Sequence, residues 1–430
     1  MKTAIVWFKT DLRLVDNETV LKAIAKSEKV IAVYCFEESH FQKTTYGFQK
    51  TGSFRAQFLL ESLQDLDRNL RQLGSGLVVV KGKAEIEIPK IVQEYKAQKV
   101  FAKKEVTIEE KQTESLLREA LFKIRCELET FSTSTLYHPE DLPFSIKTIP
   151  DLFTSFRRKT ELDATIRNAF EKPIAIPSPE IPELQLPTLK ELGLEYQAMD
   201  SRVVLPFKGG ETEALKRLQY YFFESKQLSV YKEKRNEMVG GDYSSKFSPW
   251  LALGCISPRT IYKEIKKYEL QNGANESTYW LVFELLWRDF FRFQFKKQQN
   301  KFYRLSGLKE RADQPKAFNE TLFLDWINGT TASDFINANM LELKQTGFMS
   351  NRGRQNVASY FCNELNFDWR IGAAYFESQL IDYDACSNWG NWAYLAGVGN
   401  DSRSKRLFNI ENQADTYDKD RMYRDLWLKK

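Results

Sequence analysis

The sequence predicts an α/β domain built on a doubly wound parallel sheet, followed by an all-α domain. Three observations carry this. Residues 1–131 alternate short β-branched runs with an amphipathic helical pattern. Residues 132–206 change character and become proline-rich. Residues 207–430 read as helices throughout. A chain of 430 residues is long enough for two or more domains with ample core.

The runs "TAIVWF", "VIAVYCF", "GLVVVKG", "KVFAKKE" and "CELETF" read as five strands. Between the second and third, "FRAQFLLESLQDLDRNLRQL" places apolar residues at three- and four-residue spacing, a helix with one buried face. That alternation is the βαβ pattern of a parallel sheet. No G-x-G-x-x-G follows a strand, so a Rossmann dinucleotide site is not expected here. The stretch "KPIAIPSPEIPELQLP" holds five prolines in sixteen residues. It reads as a long connector over a domain surface, or as a disordered segment. From Lys208, "GGETEALKRLQYYFFES" opens one helix and "STYWLVFELLWRDFFRFQFKKQ" forms another. In the latter, Trp280, Phe283, Glu284, Trp287 and Phe291 share a face, which sets a carboxylate between two tryptophans.

Composition excludes several classes of chemistry. No run of 18 apolar residues exists, so no membrane-spanning helix is expected. The start, "MKTAIVWFKTDLR", turns charged too soon for a signal segment and reads as the first strand of a cytoplasmic protein. Five cysteines form no C-x-x-C pair, which suggests neither a metal site nor a disulfide framework. With two histidines in the chain, imidazole-based catalysis is not expected. Any catalysis then rests on carboxylates or on a cofactor.

Charge and aromatic rings are unevenly placed. The segment from Lys208 onward carries 33 lysines and arginines against 28 acidic residues, while the part before it balances. Eight of the nine tryptophans lie at or beyond residue 250. Basic and aromatic groups together suit single-stranded nucleic acid, charge for phosphate and ring faces for bases. A solvated, lysine-rich helix surface would give the same charge excess.

Three segments have the chemistry of a site. "DYSSKFSPW" offers hydroxyls and backbone N–H groups before a helix start, suited to a phosphate or to ordinary capping. "GFMSNRGRQNVASYF" supplies Arg352 and Arg354, and "LIDYDACSNW" supplies Asp382 and Asp384, for a ligand-lined or a surface ion pair. "CSNWGNWAYLAGVGND" sets Trp389 and Trp392 among glycines and small polar residues, a lining for something flat, polar and large.

Taken together, "VWFKTDLRLVDN", "YSSKFSPWLALGCISPR", "STYWLVFELLWRDFFRF", "TGFMSNRGRQNVAS" and "CSNWGNWAYLAGVGND" resemble the photolyase/cryptochrome family. "STLYHPEDLPF" and "PDLFTSFRRKTE" are similar to its DASH branch. The resemblance spans nearly the whole chain. It implies an N-terminal α/β antenna-type domain over 1–131, a linker over 132–206, and a helical FAD-binding domain over 207–430.

The resemblance also implies roles for single residues. Tyr231, Ser244, Ser245, Lys246, Phe247 and Ser248 match the cradle for the FAD phosphates, and Arg288 falls in the flavin-pocket segment. Arg354 and Asp382 match the pair beside the isoalloxazine, with Asp384 nearby and Asn388 facing flavin N5. Trp392 and Trp369 match the inner members of an electron-transfer chain. Lys316 stands near the position of the usual outer tryptophan, and Tyr360 and Tyr375 are replacements by sequence proximity. Glu284 and Asn351 match the catalytic contacts to a cyclobutane pyrimidine dimer; Trp287, Arg352, Gln355 and Tyr394 match its binding surface. Gln355 and Tyr394 replace the Met and Trp of classical photolyases, a more polar pocket favouring single-stranded DNA, which needs no unpairing. Glu105 matches a contact to a methenyltetrahydrofolate antenna, or is a surface carboxylate at a helix start; a flavin antenna is the other possibility.

The expected function is light-driven dimer repair by electron transfer from reduced FAD. The protein is expected to be monomeric and to need no metal or membrane. The alternative is a blue-light photoreceptor that regulates through flavin redox state while bound to DNA.

Overall fold

The computed structural model describes residues 2–310, 314–401 and 407–429. Its one sheet holds five parallel strands: β1 (Thr3–Phe8), β2 (Lys29–Phe36), β3 (Leu77–Lys81), β4 (Lys99–Lys103) and β5 (Glu127–Phe131). Their order is β3-β2-β1-β4-β5, so the winding reverses at β1. Helices α1 (Glu18–Lys26), α2 (Ser53–Arg71), α3 (Ala84–Glu94) and α4 (Ile108–Lys123) make the crossovers. Strand alternation divides the core. Ile5 and Trp7 pack with Ile88, Leu117 and Leu121 under α3 and α4. Ala4, Val6 and Phe8 face the other way, into a core that contains Phe58 and Leu63 of α2 and continues into the helical domain.

Residues 132–206 hold one helix of some length, α5 (Phe153–Asp163). The proline-rich stretch is laid along the α/β domain. Pro177 accepts from Val30 N at 2.7 Å, and Ile176 N donates to Leu73 O at 2.8 Å. Prolines fix φ and lower the entropy cost of an extended path, so two backbone bonds and buried Ile181 suffice to anchor it.

The helical domain runs α6 (Glu211–Gln219), α7 (Tyr231–Lys234), α8 (Ser248–Ala252), α9 (Pro258–Asn272), α10 (Glu276–Gln298), α11 (Glu320–Asn328), α12 (Asp334–Thr346), α13 (Asn351–Ser359), α14 (Trp369–Gln379), α15 (Ala385–Leu395), α16 (Ile410–Tyr417) and α17 (Met422–Leu428). The 23-residue α10 is its axis, opened by a reciprocal cap between Asn275 and Thr278. Among the described residues no helix is long and apolar enough to cross a membrane.

The two domains are clasped by buried charge. Asp16 takes Arg259 at 2.6 and 3.0 Å and the Ser257 hydroxyl at 2.6 Å. Glu211 accepts from Leu14 N and Val15 N, and Arg13 donates to Gly254 O at 2.9 Å. A Cβ on Gly254 would lie 2.2 Å from Thr10 O, and its φ is +66°, so glycine is required where the loops meet. Asp289 of α10 accepts from Leu136 N and Tyr137 N, both at 2.9 Å, and fixes the start of the connector.

Candidate functional site

The helical domain encloses a cavity of ≈ 600 Å³ between the 244–252 segment, α10, α13 and α15. All the residues assigned to the flavin and the dimer line it; Trp369 and Glu105 do not. Residues scattered over 160 positions of sequence therefore converge on one space.

On one side lies the turn Ser244–Ser248. Arg217, a buried residue of α6, organises it: the guanidinium bonds Gly241 O at 3.0 Å, Ser244 O and Ser245 O at 3.2 Å, and Asp242 at 2.7 Å. With these carbonyls turned onto Arg217, the serines line the cavity. Lys246 sits at φ +54°, its ammonium over the rings of Tyr243 (4.1 Å) and Phe348 (4.9 Å). Burial pulls its pKa down to about 8. Among the described residues no carboxylate lies within ion-pair distance of it. A half-buried cation left in that state fits a bound anion such as a pyrophosphate. Tyr231 of α7, buried, and Phe247 complete this side.

Opposite, Arg354 of α13 donates to Asp382 Oδ2 at 2.8 Å and to Met349 O at 2.9 Å. Asp382 Oδ1 is buried with no partner among the described residues. An orphaned carboxylate oxygen on the wall of a cavity fits a polar ring that donates to it. Asp384 caps α15, accepting from Ser387 N at 2.8 Å. Burial would raise its pKa, but Arg288 and Arg292 outweigh burial and hold it below the usual value. Asn388 donates to Ala373 O at 3.0 Å, which fixes its orientation. Arg288 lines the cavity yet spends its donors elsewhere, on Ser134 O and, at 3.4 Å, Leu251 O, with Asp384 at 3.9 Å. It ties the connector to α8 and α15.

The glycines of "SNWGNWAY" and its neighbour α14 have a steric reason. A Cβ on Gly390 would meet the Phe291 ring at 2.3 Å, and one on Gly372 would meet the Trp392 ring at 2.4 Å. Trp392 is buried edge-on to Phe376 at 5.0 Å. Trp369 donates its indole N–H to Leu305 O at 3.0 Å, and its ring meets Trp389 at 5.8 Å. Tyr375 packs on Trp326 at 5.4 Å; neither it nor Tyr360 has a ring contact with Trp369 among the described residues. Lys316 is exposed, its backbone N–H bonded to Asn366 O.

The residues that the resemblance assigns to the dimer are also held. Glu284 pairs with Arg235 at 2.9 Å. Burial raises the Glu284 pKa, and the Arg235 charge opposes that rise. One face of Trp287 is covered by Phe153, with ring centroids 3.7 Å apart and planes 13° apart. Trp287, assigned by the resemblance to the dimer-binding surface, therefore has a single ring face left for stacking. Tyr394 stands edge-on to Trp287 at 6.0 Å. Arg352 donates to Gln355 at 3.0 Å and Asn236 at 3.2 Å and lies over the Tyr417 ring at 4.3 Å. Asn351, first residue of α13, is exposed at the cavity.

Glu105 is elsewhere, at the seam between the domains, and it is not a surface carboxylate. It is 4% exposed, bound by Lys103 at 2.9 Å and Arg292 at 2.6 Å. Burial would raise its pKa; the two cations overcome this and hold it at about 2. Sequence reasoning missed Arg217, Arg235 and Phe153. The first two sit in lysine- and arginine-rich runs indistinguishable from solvated helix faces.

Two family profiles match the chain: the DNA photolyase profile over residues 4–180 and the FAD-binding domain of DNA photolyase over residues 280–430. The cryptochrome DASH of Gloeobacter violaceus is 49% identical over 428 residues, 99% of this chain and 85% of that protein. The crystal structure of a Synechocystis cryptochrome superposes with a TM-score of 0.96 at 48% identity, covering 100% of this chain and 89% of that one. A class III photolyase from Agrobacterium tumefaciens gives a TM-score of 0.84 at 27% identity, covering 100% and 86%.

Proposed function

The chain belongs to the photolyase/cryptochrome family, in its cryptochrome DASH branch, and on that premise we propose that it repairs cyclobutane pyrimidine dimers with blue or near-UV light, preferring single-stranded DNA. The observation that carries the proposal is the shared cavity. Glu284, Asn351 and Trp287 line the same space as Arg354, Asp382 and Asn388, so a dimer and a flavin would meet inside it.

The residues present fit FAD: an unpaired Lys246 for the phosphates and an orphaned Asp382 oxygen for the ring. When bound, reduced FAD supplies the one electron that splits the cyclobutane ring and regains it afterwards, with no net redox change. Arg354 keeps Asp382 in place, and Arg217 keeps the phosphate-side turn in shape. Glu284, whose burial favours the neutral acid, donates a hydrogen bond to a pyrimidine carbonyl oxygen, and Arg235 adds positive charge at the same place. Both groups stabilise the extra negative charge on the dimer, as an oxyanion hole would. The free face of Trp287 stacks on the dimer. Gln355 and Tyr394 add polar groups where an apolar wall would reward a base flipped out of a duplex. A strand already unpaired carries no flipping cost.

Both oxygens of Glu105 are engaged by Lys103 and Arg292. At 4% exposure that carboxylate offers little surface for a direct contact to methenyltetrahydrofolate, and the proposal contains no antenna step.

The test is photolysis by the chemically reduced protein of one defined dimer, in single-stranded and in duplex DNA of the same sequence. Faster splitting in the single strand is expected. No splitting in either would leave the photoreceptor role as the reading of this cavity.

A further inference from the structure

We propose that Trp280, stacked on Phe283, is a second base-stacking platform, which takes an undamaged base of the same single strand next to the dimer. The proposal rests on the dimer reading of the cavity.

Trp280, Phe283, Glu284 and Trp287 all line the cavity from one side of α10. The dimer uses Glu284 and Trp287 and leaves the other two rings unassigned. Trp280 stacks on Phe283, with ring centroids 4.7 Å apart and planes 27° apart. Phe153 of α5 braces both ends of the row. It stands edge-on to Phe283 at 5.2 Å and is stacked on Trp287 at 3.7 Å. Two stacked pairs therefore share one brace and open on one space. Two turns of α10 separate Trp280 from Trp287, about 10 Å along the axis. That is about three steps of a stacked strand at 3.4 Å per step.

Cations alternate with these rings. Lys232 of α7 holds its ammonium 4.9 Å from the centre of the Trp280 ring, and Arg157 of α5 lies over Phe283 at 5.6 Å. Arg235 pairs with Glu284, between the two platforms in sequence along α10. Rings for bases with cations for phosphates is the arrangement that holds a single strand.

The ring face for the base is the one turned to Lys232, since Phe283 covers the other. Lys232 is held there by Glu276, whose side chain is 79% exposed. Such a pair contributes little. Lys232 can therefore leave the ring for a phosphate while a base takes its place.

The occupant follows from the chemistry of the lesion. Forming the cyclobutane ring saturates C5 and C6 of both pyrimidines, so the dimer has lost its flat aromatic faces. A neighbouring undamaged base keeps its own. Stacking of this kind is tolerant of base identity. In a duplex the same base is already paired and stacked, and bringing it to Trp280 would carry a cost. The platform thus gives the preference for single strands a contact of its own.

The experiment measures affinity in the dark, at one salt concentration, for the full-length FAD-loaded protein. The probes are an isolated thymine-dimer dinucleotide and a short single strand with the same dimer at its centre. Trp280→Leu should lose about tenfold in affinity for the strand and nothing for the dinucleotide. An abasic site at the flanking position should cost the unmodified protein the same tenfold and cost Trp280→Leu nothing more. The fluorescence of 2-aminopurine at that position should be quenched on binding to the unmodified protein and should stay bright on Trp280→Leu. Flavin absorbance and dinucleotide affinity show whether the variant is folded; if it is not, the abasic and 2-aminopurine measurements on the unmodified protein decide the question. Equal losses on dinucleotide and strand, or 2-aminopurine that stays bright at both flanks in the unmodified protein, overturn the proposal. Failure of the dimer reading shows separately, as a dinucleotide dimer that the reduced unmodified protein leaves intact under light.

Discussion

The Arg235 guanidinium stands 2.9 Å from the Glu284 carboxylate, so the acid on the cavity wall is paired within the protein itself. The pair joins α10 to the segment just after α7, and it fixes the position of the Glu284 side chain at the cavity wall.

Glu284→Ala is expected to slow dimer splitting by about a hundredfold, the scale set by losing one oxyanion-type donor. FAD occupancy should stay near that of the unmodified protein, since Glu284 makes no contact with the Arg354–Asp382 pair. Quantum yield and flavin absorbance, measured on one preparation, check both parts. An unchanged quantum yield would remove Glu284 from the mechanism.

Arg354→Ala removes the partner of a nearly inaccessible carboxylate. Breaking such a pair costs about 3–5 kcal/mol, because the other charge stays buried. FAD release on mild gel filtration is the expected outcome, with the far-UV spectrum retained. Full occupancy in the variant would contradict the placement of the isoalloxazine beside Asp382.

Glu105 links acidity to domain docking. Its folded pKa of about 2 lies below the unfolded value of about 4.3. Between these values the unfolded chain binds more protons, so stability rises with pH there. The contribution is complete above the unfolded value and is lost as pH falls toward 2. It amounts to about 3 kcal/mol. Acid titrations followed by tryptophan fluorescence should show this loss, and Glu105→Gln should flatten the curve in the same window.

Photoreduction of the oxidised flavin by external thiol should be slow, because Lys316 cannot carry a hole to the surface. Lys316→Trp should speed it, and Trp392→Phe should nearly abolish it. Steady blue illumination with absorbance readout distinguishes the three proteins. Equal rates in all three would mean that the electron leaves by a different route.

The strands were legible because β-branched runs separated by an amphipathic helix admit few arrangements, and each run became one strand of the sheet. The cavity was legible through its motifs: residues from five separate segments line one space. What the sequence hides is long-range pairing. Arg292 and Glu105 are 187 residues apart, and nothing in the periodicity of either segment reports the partner of a charge. Periodicity reports which side is buried. Arg235 therefore read as one of several solvated cations, and Phe153 as an ordinary apolar position rather than the backing of Trp287. The alternative reading of Glu105 as a surface carboxylate failed for the same reason.

The clasp between Asp16 and Arg259 has a consequence for how the protein is made. The polypeptide leaves the ribosome from its N-terminal end, and Asp16 must wait for a partner 243 residues downstream. At roughly 5–20 residues per second that interval lasts on the order of tens of seconds. During it the loop after β1 holds Asp16 without Ser257 and Arg259, and water must solvate the carboxylate oxygen that they will occupy. The α/β domain can form its sheet early, but the edge of that domain stays open until α9 has been synthesised. Premature termination anywhere before Arg259 would leave Asp16 without its cationic partner at the edge of the α/β domain.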